Sequence, residues 1–428
     1  MIPDSAPLPG ASEPAAVSKP AAPIPAVAAA PQPVISTNAM LTAMLQAAPQ
    51  VSDLIFSPGR FPQVEVNGAL IAVRVGNLPA LTAADTQRIA ADIMAGNQKG
   101  ADMLRDQGAC DVSYSVPGKS RFRVNIFTQR GTCAIVMRAI PGGIPSFDSL
   151  KLPPQLREIV QLKNGIVLVT GPTGSGKSST LASIVDLINE THCYHIVTIE
   201  DPIEFIHKHK KSTIHQRELH SDTPSFSLAL RAALRQAPKV ILVGEMRDRE
   251  TMEIALEAAE TGHLVLSTLH TVDASKTVER IIGAFPPAEE QLIRTRLANS
   301  FRWIVCQRLM PRKDGAGRAA AFEILRSNQR TREYLEKGER EGRSILDAIR
   351  DGGQDGMQCF DDELEKMVRH DRISRETALG YATNQGNLML ALSEMSAAGA
   401  VEAAPVKPQA GHLQDDLLET TSTPYLVP

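Results

Sequence analysis

Hydrophobic and polar positions follow two different patterns along the chain, and the change falls near residue 165. Before it, short alternating runs at 53–56, 63–66, 70–75, 110–116, 120–127 and 132–139 predict strands, and helical spacing is present over 40–48 and 82–94. These elements predict a small α+β domain over residues 38–141. A proline- and glycine-containing linker over residues 142–160 follows it.

After residue 165, continuous apolar runs replace the alternating ones. The runs at 166–170, 195–200, 240–244 and 263–268 alternate with helical patterns, including 226–236 and 250–260, which predicts an α/β domain with a parallel sheet covered on both faces. From residue 286 the chain is predicted to be mostly helical. One helix is expected over 290–308, with Ile293, Leu297, Phe301 and Ile304 as its core-facing stripe. We place this second domain at residues 161–395.

Composition separates the two ends from this folded region. Residues 1–37 hold nine prolines and ten alanines, which predicts a disordered tail, and we expect a similar tail over 396–428. The 45 basic and 48 acidic residues argue against a nucleic-acid-binding surface. Five scattered cysteines form no C-x-x-C pair, and no run approaches the roughly 20 apolar residues of a membrane span. We expect a cytoplasmic protein that is peripheral to a membrane at most.

A nucleotide-binding motif follows the first apolar strand of the second domain. Residues 171–178 match G-x-x-x-x-G-K-[ST] at every fixed position, between a predicted strand and a predicted helix. Glycines let backbone N–H groups converge on phosphate oxygens, Lys177 supplies charge to the β- and γ-phosphates, and Ser178 offers a hydroxyl to Mg²⁺. The sequence therefore predicts binding of ATP or GTP with Mg²⁺. The expected contacts are Gly171, Pro172, Thr173, Gly174, Ser175, Gly176, Lys177, Ser178 and Ser179.

Two carboxylates follow buried strands on the side of the sheet where this loop lies. Glu200 ends the run at 195–200, and Glu245 follows the run at 240–244. Ligands of open parallel sheets lie beyond the carboxyl ends of the strands, so both side chains should face the nucleotide. Either one could orient the attacking water while the other supports Mg²⁺.

Histidines and arginines complete the set of candidates. His263 and His270 flank one strand, which favours a sensor of the γ-phosphate or a coupling element over a metal site. Arginines cluster in the first domain at Arg121, Arg123, Arg130 and Arg138. Their spacing suits either a solvated strand face or an arginine delivered to the nucleotide of a neighbouring subunit.

In the motifs that contain these residues, the sequence resembles the secretion-superfamily traffic ATPases, and within them the PilT and PilU family of type IV pilus retraction ATPases. The resemblance spans residues 39–392 and rests on four motifs, which are GPTGSGKSST (171–180), TIEDPIEF (198–205), ILVGEMRD (241–248) and AAETGHLVLSTLHT (258–271). It implies a PAS-like N-terminal domain joined to a RecA-like ATPase domain with a helical C-terminal part. It also implies a homohexameric ring and nucleotide held between the two domains.

The same resemblance implies a role for each matching residue. Glu200 is similar to the water-activating base, Glu245 to the acid that supports Mg²⁺, and His263 and His270 to the pair of the family's His box. Three arginines are similar to residues placed near the nucleotide, and these are Arg123, Arg138 and Arg280.

The resemblance implies a retraction motor rather than an assembly or type II secretion ATPase, because nothing here could form the four-cysteine zinc module that those enzymes carry after the His box. Such a motor hydrolyses ATP and acts on an inner-membrane platform protein, similar to PilC, at the pilus base. An accessory, PilU-like ring that works with paralogous pilus ATPases, or a regulatory nucleotide-binding ring, stays open as an alternative. A nucleic-acid translocase is disfavoured by the balanced charge.

Overall fold

The computed structural model of the chain describes residues 35–49, 51–66, 68–140, 142–340 and 342–401, with only the backbone path given for 395–401. The predicted tails therefore lie mostly outside the described residues. At the inner edge of the first, Ser36 caps a helix that begins at Thr37. At the inner edge of the second, the last helix continues to Val401 and so passes residue 396.

The N-terminal domain is built on an antiparallel sheet of six strands in the order β3-β2-β1-β6-β5-β4. Burial alternates along the longer strands, so one face of the sheet is apolar. This face and the helices contribute side chains to one hydrophobic core. The strands are β1 (Asp53–Phe56), β2 (Gln63–Val66), β3 (Ala69–Ala72), β4 (Ala109–Val116), β5 (Ser120–Gln129) and β6 (Thr132–Ile140), and the helices are α1 (Thr37–Gln46), α2 (Ala83–Ile93) and α3 (Gln98–Gln107).

The second domain contains a seven-stranded sheet in the order β13-β12-β7-β11-β10-β8-β9, in which β12 and β13 pair antiparallel and the other neighbours are parallel. Its strands are β7 (Gly165–Thr170), β8 (His195–Glu200), β9 (Thr213–Glu218), β10 (Val240–Val243), β11 (Leu264–Leu269), β12 (Phe301–Pro311) and β13 (Arg318–Arg326). Its helices are α4 (Lys177–Thr191), α5 (Phe226–Ala233), α6 (Arg249–Glu260), α7 (Ala274–Ile282), α8 (Glu290–Ser300), α9 (Gln329–Lys337), α10 (Ile345–Asp351), α11 (Phe360–Arg369), α12 (Arg375–Tyr381) and α13 (Gln385–Val401).

The continuous apolar runs explain why this sheet is covered on both sides. All six residues of β7 are buried. Ile166 and Leu168 belong to one core cluster, whereas Val167 and Val169 belong to the cluster on the opposite face. A strand whose alternate side chains enter two cores has no polar face, which is why period-2 alternation is absent from its sequence.

The predicted helix over 290–308 is wrong in its second half. Helix α8 ends at Ser300, and β12 begins at Phe301 and lies beside β7. Trp303, Ile304 and Val305 are consecutive and nearly inaccessible to solvent. Such a run is typical of a strand buried on both faces. Phe301 and Ile304 fit the helical spacing of α8 only by coincidence, because every position of such a strand can be apolar. The expectation of a mostly helical segment after residue 286 is confirmed by α8 to α13, although β12 and β13 also lie there.

Among the helices of the described residues, none combines the length and the apolar character that crossing a bilayer requires.

Candidate functional site

The glycine loop forms a tight cradle between β7 and α4. Gly171 has a φ of +145°, and a Cβ there would lie 2.3 Å from Gln307 O. Gly176 has a φ of +92° and is the residue before α4, and a Cβ there would lie 2.8 Å from Gln307 Nε2. Both positions therefore require glycine, on conformational and steric grounds. The free N–H groups of the first turn of α4 face the cradle, which is a favourable arrangement for phosphate.

Lys177 is the first residue of α4, and its side chain folds back over the loop. Its Nζ donates hydrogen bonds to Gly171 O at 2.9 Å and Pro172 O at 3.1 Å. Burial lowers the pKa of Lys177, although the carboxylates of Glu245 and Glu204 oppose this shift. The ammonium group is thus held where an incoming phosphate would compete for its protons.

A cavity of about 780 Å³ opens beside the loop. Its polar wall carries charged or titratable groups from both domains, among them Arg123, Lys177, Glu200, Glu204, Glu245, Arg247 and His270. Another part of its wall is apolar and is formed by Leu150, Leu152, Leu181, Val185, Leu309 and Ala320. A polar wall that includes the phosphate loop, together with an apolar wall, suits a nucleotide with its phosphates on one side and its base on the other.

Glu200 is the last residue of β8 and lies in the cavity wall. Its Oε1 accepts hydrogen bonds from Thr198 Oγ1 at 2.7 Å and from Gln216 Nε2 at 3.0 Å. Burial raises the pKa of Glu200, and these two hydrogen bonds partly offset the rise. A carboxylate with a raised pKa and a fixed orientation is suited to accept a proton from water.

Glu245 follows β10 and lies between two positively charged or polar partners. Its Oε2 lies 2.7 Å from Arg247 Nη2, and its Oε1 lies 3.4 Å from His270 Nε2. Burial raises the pKa of Glu245, but the hydrogen bond from Arg247 and the neighbouring His270 outweigh it, so the net shift is downward. Glu245 therefore stays ionised more readily than Glu200, and the two carboxylates are suited to different tasks.

The residues expected to meet Mg²⁺ also lie at this cavity. Ser178 and Glu245 both line it, and their hydroxyl and carboxylate oxygens are the donor types that Mg²⁺ prefers. Within the described residues, no group of three or more His, Cys, Asp or Glu side chains is arranged to hold a metal.

The structure places the two histidines that flank β11 at opposite ends of that strand. His270 follows β11 and lines the cavity, whereas His263 precedes that strand, so roughly 20 Å of extended chain lies between them. His263 Nδ1 lies 2.9 Å from Ala258 O, at the end of α6. Residues that flank one parallel strand lie at opposite edges of the sheet, so the role assigned to His263 stays a prediction.

The three arginines are likewise divided. Arg123 lines the cavity. Arg138 lies directly across from Arg123 on β6, but its Nε donates to Asp53 Oδ1 at 3.0 Å and its side chain is 72% exposed. Arg280, in the last turn of α7, is exposed. Neither Arg138 nor Arg280 is among the residues that form the cavity wall of this single chain.

Several residues of the site went unrecognised in the sequence. Arg247 lies two residues after Glu245, and Glu204 lies four residues after Glu200. Both lie within motifs already noted, so their sequence positions were a usable signal. Gln307 and Gln216 carried no such signal. Gln307 Oε1 accepts a hydrogen bond from Thr180 Oγ1 at 2.8 Å, across 127 residues, and reaches the site only because β12 lies beside β7.

Comparison with known proteins agrees with this geometry. The model of the family described as "Type II/IV secretion system protein" matches residues 106–391. The type IV pilus retractation ATPase PilT of Pseudomonas aeruginosa is 44% identical over 327 residues, which cover 76% of this chain and 93% of that protein. The type IV pilus ATPase PilU of the same organism is 37% identical over 339 residues, covering 79% of this chain and 87% of PilU. A crystal structure of the pilus retraction motor PilT with bound ADP superposes with a TM-score of 0.75 at 40% identity, covering 83% of this chain and all of that one. The prediction of an N-terminal domain followed by a RecA-like ATPase domain is thereby confirmed.

Proposed function

The chain belongs to the type II/IV secretion system protein family, and we propose that it is an ATP-hydrolysing motor that powers type IV pilus retraction and hence twitching motility. One observation carries this proposal most directly. The phosphate loop, Glu200 and Glu245 converge on one cavity, in a chain that spans 93% of a retraction ATPase. An intact hydrolytic site favours an active motor over a ring that only binds nucleotide.

The residues divide the work of hydrolysis between them. The loop N–H groups and Lys177 bind and orient the phosphates, and Lys177 stabilises charge that develops on the transferred group. Glu200 orients the attacking water and takes its proton, because its raised pKa makes it the stronger base of the two carboxylates. When bound, Mg²⁺ neutralises phosphate charge, and Ser178 and Glu245 are the residues that would hold it, the latter through water. His270 is placed to sense the γ-phosphate.

A retraction role is favoured over an assembly role by the cysteines. After residue 271 the chain has only Cys306 and Cys359, and both thiols are buried and free. Two cysteines on β12 and next to α11 cannot build the four-cysteine zinc module of assembly and type II secretion ATPases. The higher identity to PilT than to PilU favours the principal motor over an accessory one.

The proposal includes a homohexameric ring at the pilus base, acting on an inner-membrane platform protein. Arg138 and Arg280 are the candidates for contributing across a subunit boundary, since both side chains are exposed and neither lines the cavity of its own chain, although Arg138 would have to release Asp53 to do so. Mixing Arg138→Ala subunits with Lys177→Ala subunits tests this delivery. Mixed rings should recover activity above the sum of the separate proteins if Arg138 acts across the boundary, and strict additivity would contradict it.

The cellular experiment is deletion of the gene in its host, followed by counting surface pili. A retraction motor predicts cells that keep their pili or accumulate more of them, and that do not twitch. Cells without pili would indicate an assembly ATPase. Piliated cells with unchanged twitching would indicate an accessory ring.

A further inference from the structure

The N-terminal domain contacts the ATPase sheet at its edge strand through one well-formed ion pair. Arg121 Nη2 on β5 lies 2.7 Å from Glu218 Oε2 at the end of β9. The two side chains are only 21% and 5% exposed. A second contact lies nearby, where Lys99 Nζ is 3.3 Å from His220 Nδ1. The end of β9 is therefore one place where the first domain contacts the ATPase domain.

Glu218 also holds the segment that follows Glu200. The same Oε2 that meets Arg121 accepts a hydrogen bond from Ile203 N at 3.0 Å. Glu218 lies beside Glu200 in the register of β9 with β8. One carboxylate oxygen thus joins the N-terminal domain to the turn that begins immediately after the proposed catalytic base.

Gln216 extends this connection to the base itself. It lies two residues before Glu218 and so on the same face of β9. Its Nε2 donates to Glu200 Oε1 at 3.0 Å and to Phe205 O at 2.8 Å, and its Oε1 accepts from His207 N at 2.8 Å. The strand that Arg121 contacts is therefore the strand that orients Glu200.

The same docking also sets the position of Arg123. Arg121 and Arg123 are two residues apart on β5 and share a face, opposite the buried Phe122 and Val124. Arg121 contacts Glu218, and Arg123 lines the nucleotide cavity. The same strand face therefore carries the docking contact at Arg121 and a residue of the cavity wall at Arg123.

We propose that Arg121 and Glu218 are positioning residues through which docking of the N-terminal domain holds Glu200 in the geometry for hydrolysis. The inference rests on the proposed ATPase function and adds a mechanical link to it. When the domain is docked, β9 and the turn at Ile203 are fixed and Glu200 faces the cavity. When the domain is displaced, the carboxylate of Glu218 loses its charge partner. The contacts of β9 that orient Glu200 are then less firmly held.

The test uses the full chain and steady-state ATP hydrolysis over a range of ATP concentrations. The variants are R121Q, E218Q, the double variant, and R121K, with R105Q as the matched control because Arg105 forms an exposed ion pair within α3. Glutamine at 218 keeps an oxygen acceptor for Ile203 N while removing the charge. Thermal melting of each variant reports whether the fold is retained.

R121Q and E218Q should each lower kcat by about tenfold or more, since small displacements of a catalytic group are costly. KM for ATP should change by less than about threefold, because the phosphate loop is untouched. The double variant should be no slower than the slower single variant, as expected for residues acting through one contact. R121K should recover most of the lost rate, and R105Q should match the wild type.

Wild-type kcat in R121Q and E218Q, losses that multiply in the double variant, or an effect confined to KM would each overturn the inference. If R121Q does not fold, E218Q and R121K still test the inference, since both retain hydrogen bonding at the contact. A lower kcat in E218Q with a nearly wild-type kcat in R121K would support it, and equal kcat values in the two variants would overturn it. Absence of ATP hydrolysis by the wild-type chain would instead refute the proposed function. The two failures are therefore distinguishable.

Discussion

His270 Nε2 lies 3.4 Å from Glu245 Oε1, so the imidazole links the end of β11 to the carboxylate that follows β10. Its other ring nitrogen, Nδ1, lies 3.5 Å from Lys177 Nζ. One ring thus stands between the lysine of the phosphate loop and the carboxylate expected to support Mg²⁺. A γ-phosphate arriving at Lys177 would compete with His270 for the ammonium group, which suits a residue that senses it.

Replacing His270 by alanine should therefore lower kcat more than it weakens nucleotide binding. We expect about 10- to 100-fold slower hydrolysis, as is typical for loss of a positioned polar group. Affinity for a fluorescent ATP analogue should change by less than about fivefold, because the loop and Lys177 remain. His370→Ala is the control, since His370 is an exposed histidine that follows α11 and is not among the residues of the cavity wall. Equal losses of affinity and turnover would contradict the sensor role.

Lys177→Ala should abolish ATP binding and hydrolysis together. Its ammonium group is the loop's own charged donor, and no other lysine lines the cavity wall in the described part of the chain. Lys163→Ala, which removes an exposed lysine just before β7, is the matched control and should bind normally. Titration with a fluorescent ATP analogue measures the affinity of both variants. Normal affinity in Lys177→Ala would show that the phosphates lie elsewhere.

Glu200→Gln should separate binding from chemistry. Glutamine keeps an acceptor for Thr198 and Gln216 but cannot take a proton from water. Turnover should fall by about 100-fold or more while ATP affinity stays within about threefold of the wild type. Ordinary turnover in the purified variant would refute the assignment of Glu200 as the base.

The pH dependence of kcat supplies an independent check on Glu200. A base works only when ionised, so kcat should fall as the pH drops through the pKa of Glu200, which burial raises above its ordinary value. Thr198→Val removes a hydrogen bond that lowers this pKa. The acid limb of the kcat profile should therefore move to higher pH in Thr198→Val. A shift to lower pH, or none, would argue that another group titrates.

A stability prediction concerns Glu323, a buried carboxyl on β13 whose Oε1 accepts a hydrogen bond from Ala274 N at 2.8 Å. Burial raises the pKa of Glu323 from 4.5 to about 7. The folded state then binds a proton more tightly than the unfolded state, so the free energy of unfolding decreases as the pH rises from about 4.5 to about 7. Glu323→Gln should remove this loss.

Measured by denaturant unfolding, Glu323→Gln should gain stability relative to the wild type between pH 5 and pH 8, by about 2 kcal/mol. Glu376→Gln, at an exposed position in the first turn of α12, should show no comparable gain. A difference between Glu323→Gln and the wild type that does not depend on pH would mean that Glu323 is ionised in both states.

The sequence predicted best where chemistry is carried by contiguous residues. The phosphate loop, Glu200 and Glu245 each lie within a few residues of an apolar strand, and the ends of parallel strands meet at one edge. The sequence prediction failed at β12, because a strand buried on both faces does not alternate between apolar and polar residues. It could not anticipate Gln307 or the pair of Arg121 and Glu218, since these contacts join residues about a hundred positions apart through strand order and domain docking.

Whether ATP hydrolysis at this site powers pilus retraction is measured most directly by following single labelled pili on living cells. Cells lacking the gene are complemented with the wild-type chain or with Lys177→Ala, and the frequency and speed of retraction are recorded. We expect the deletion to stop retraction and the wild type to restore it, whereas Lys177→Ala should not restore it. Retraction that persists in the deletion, or that Lys177→Ala restores in full, would contradict this expectation.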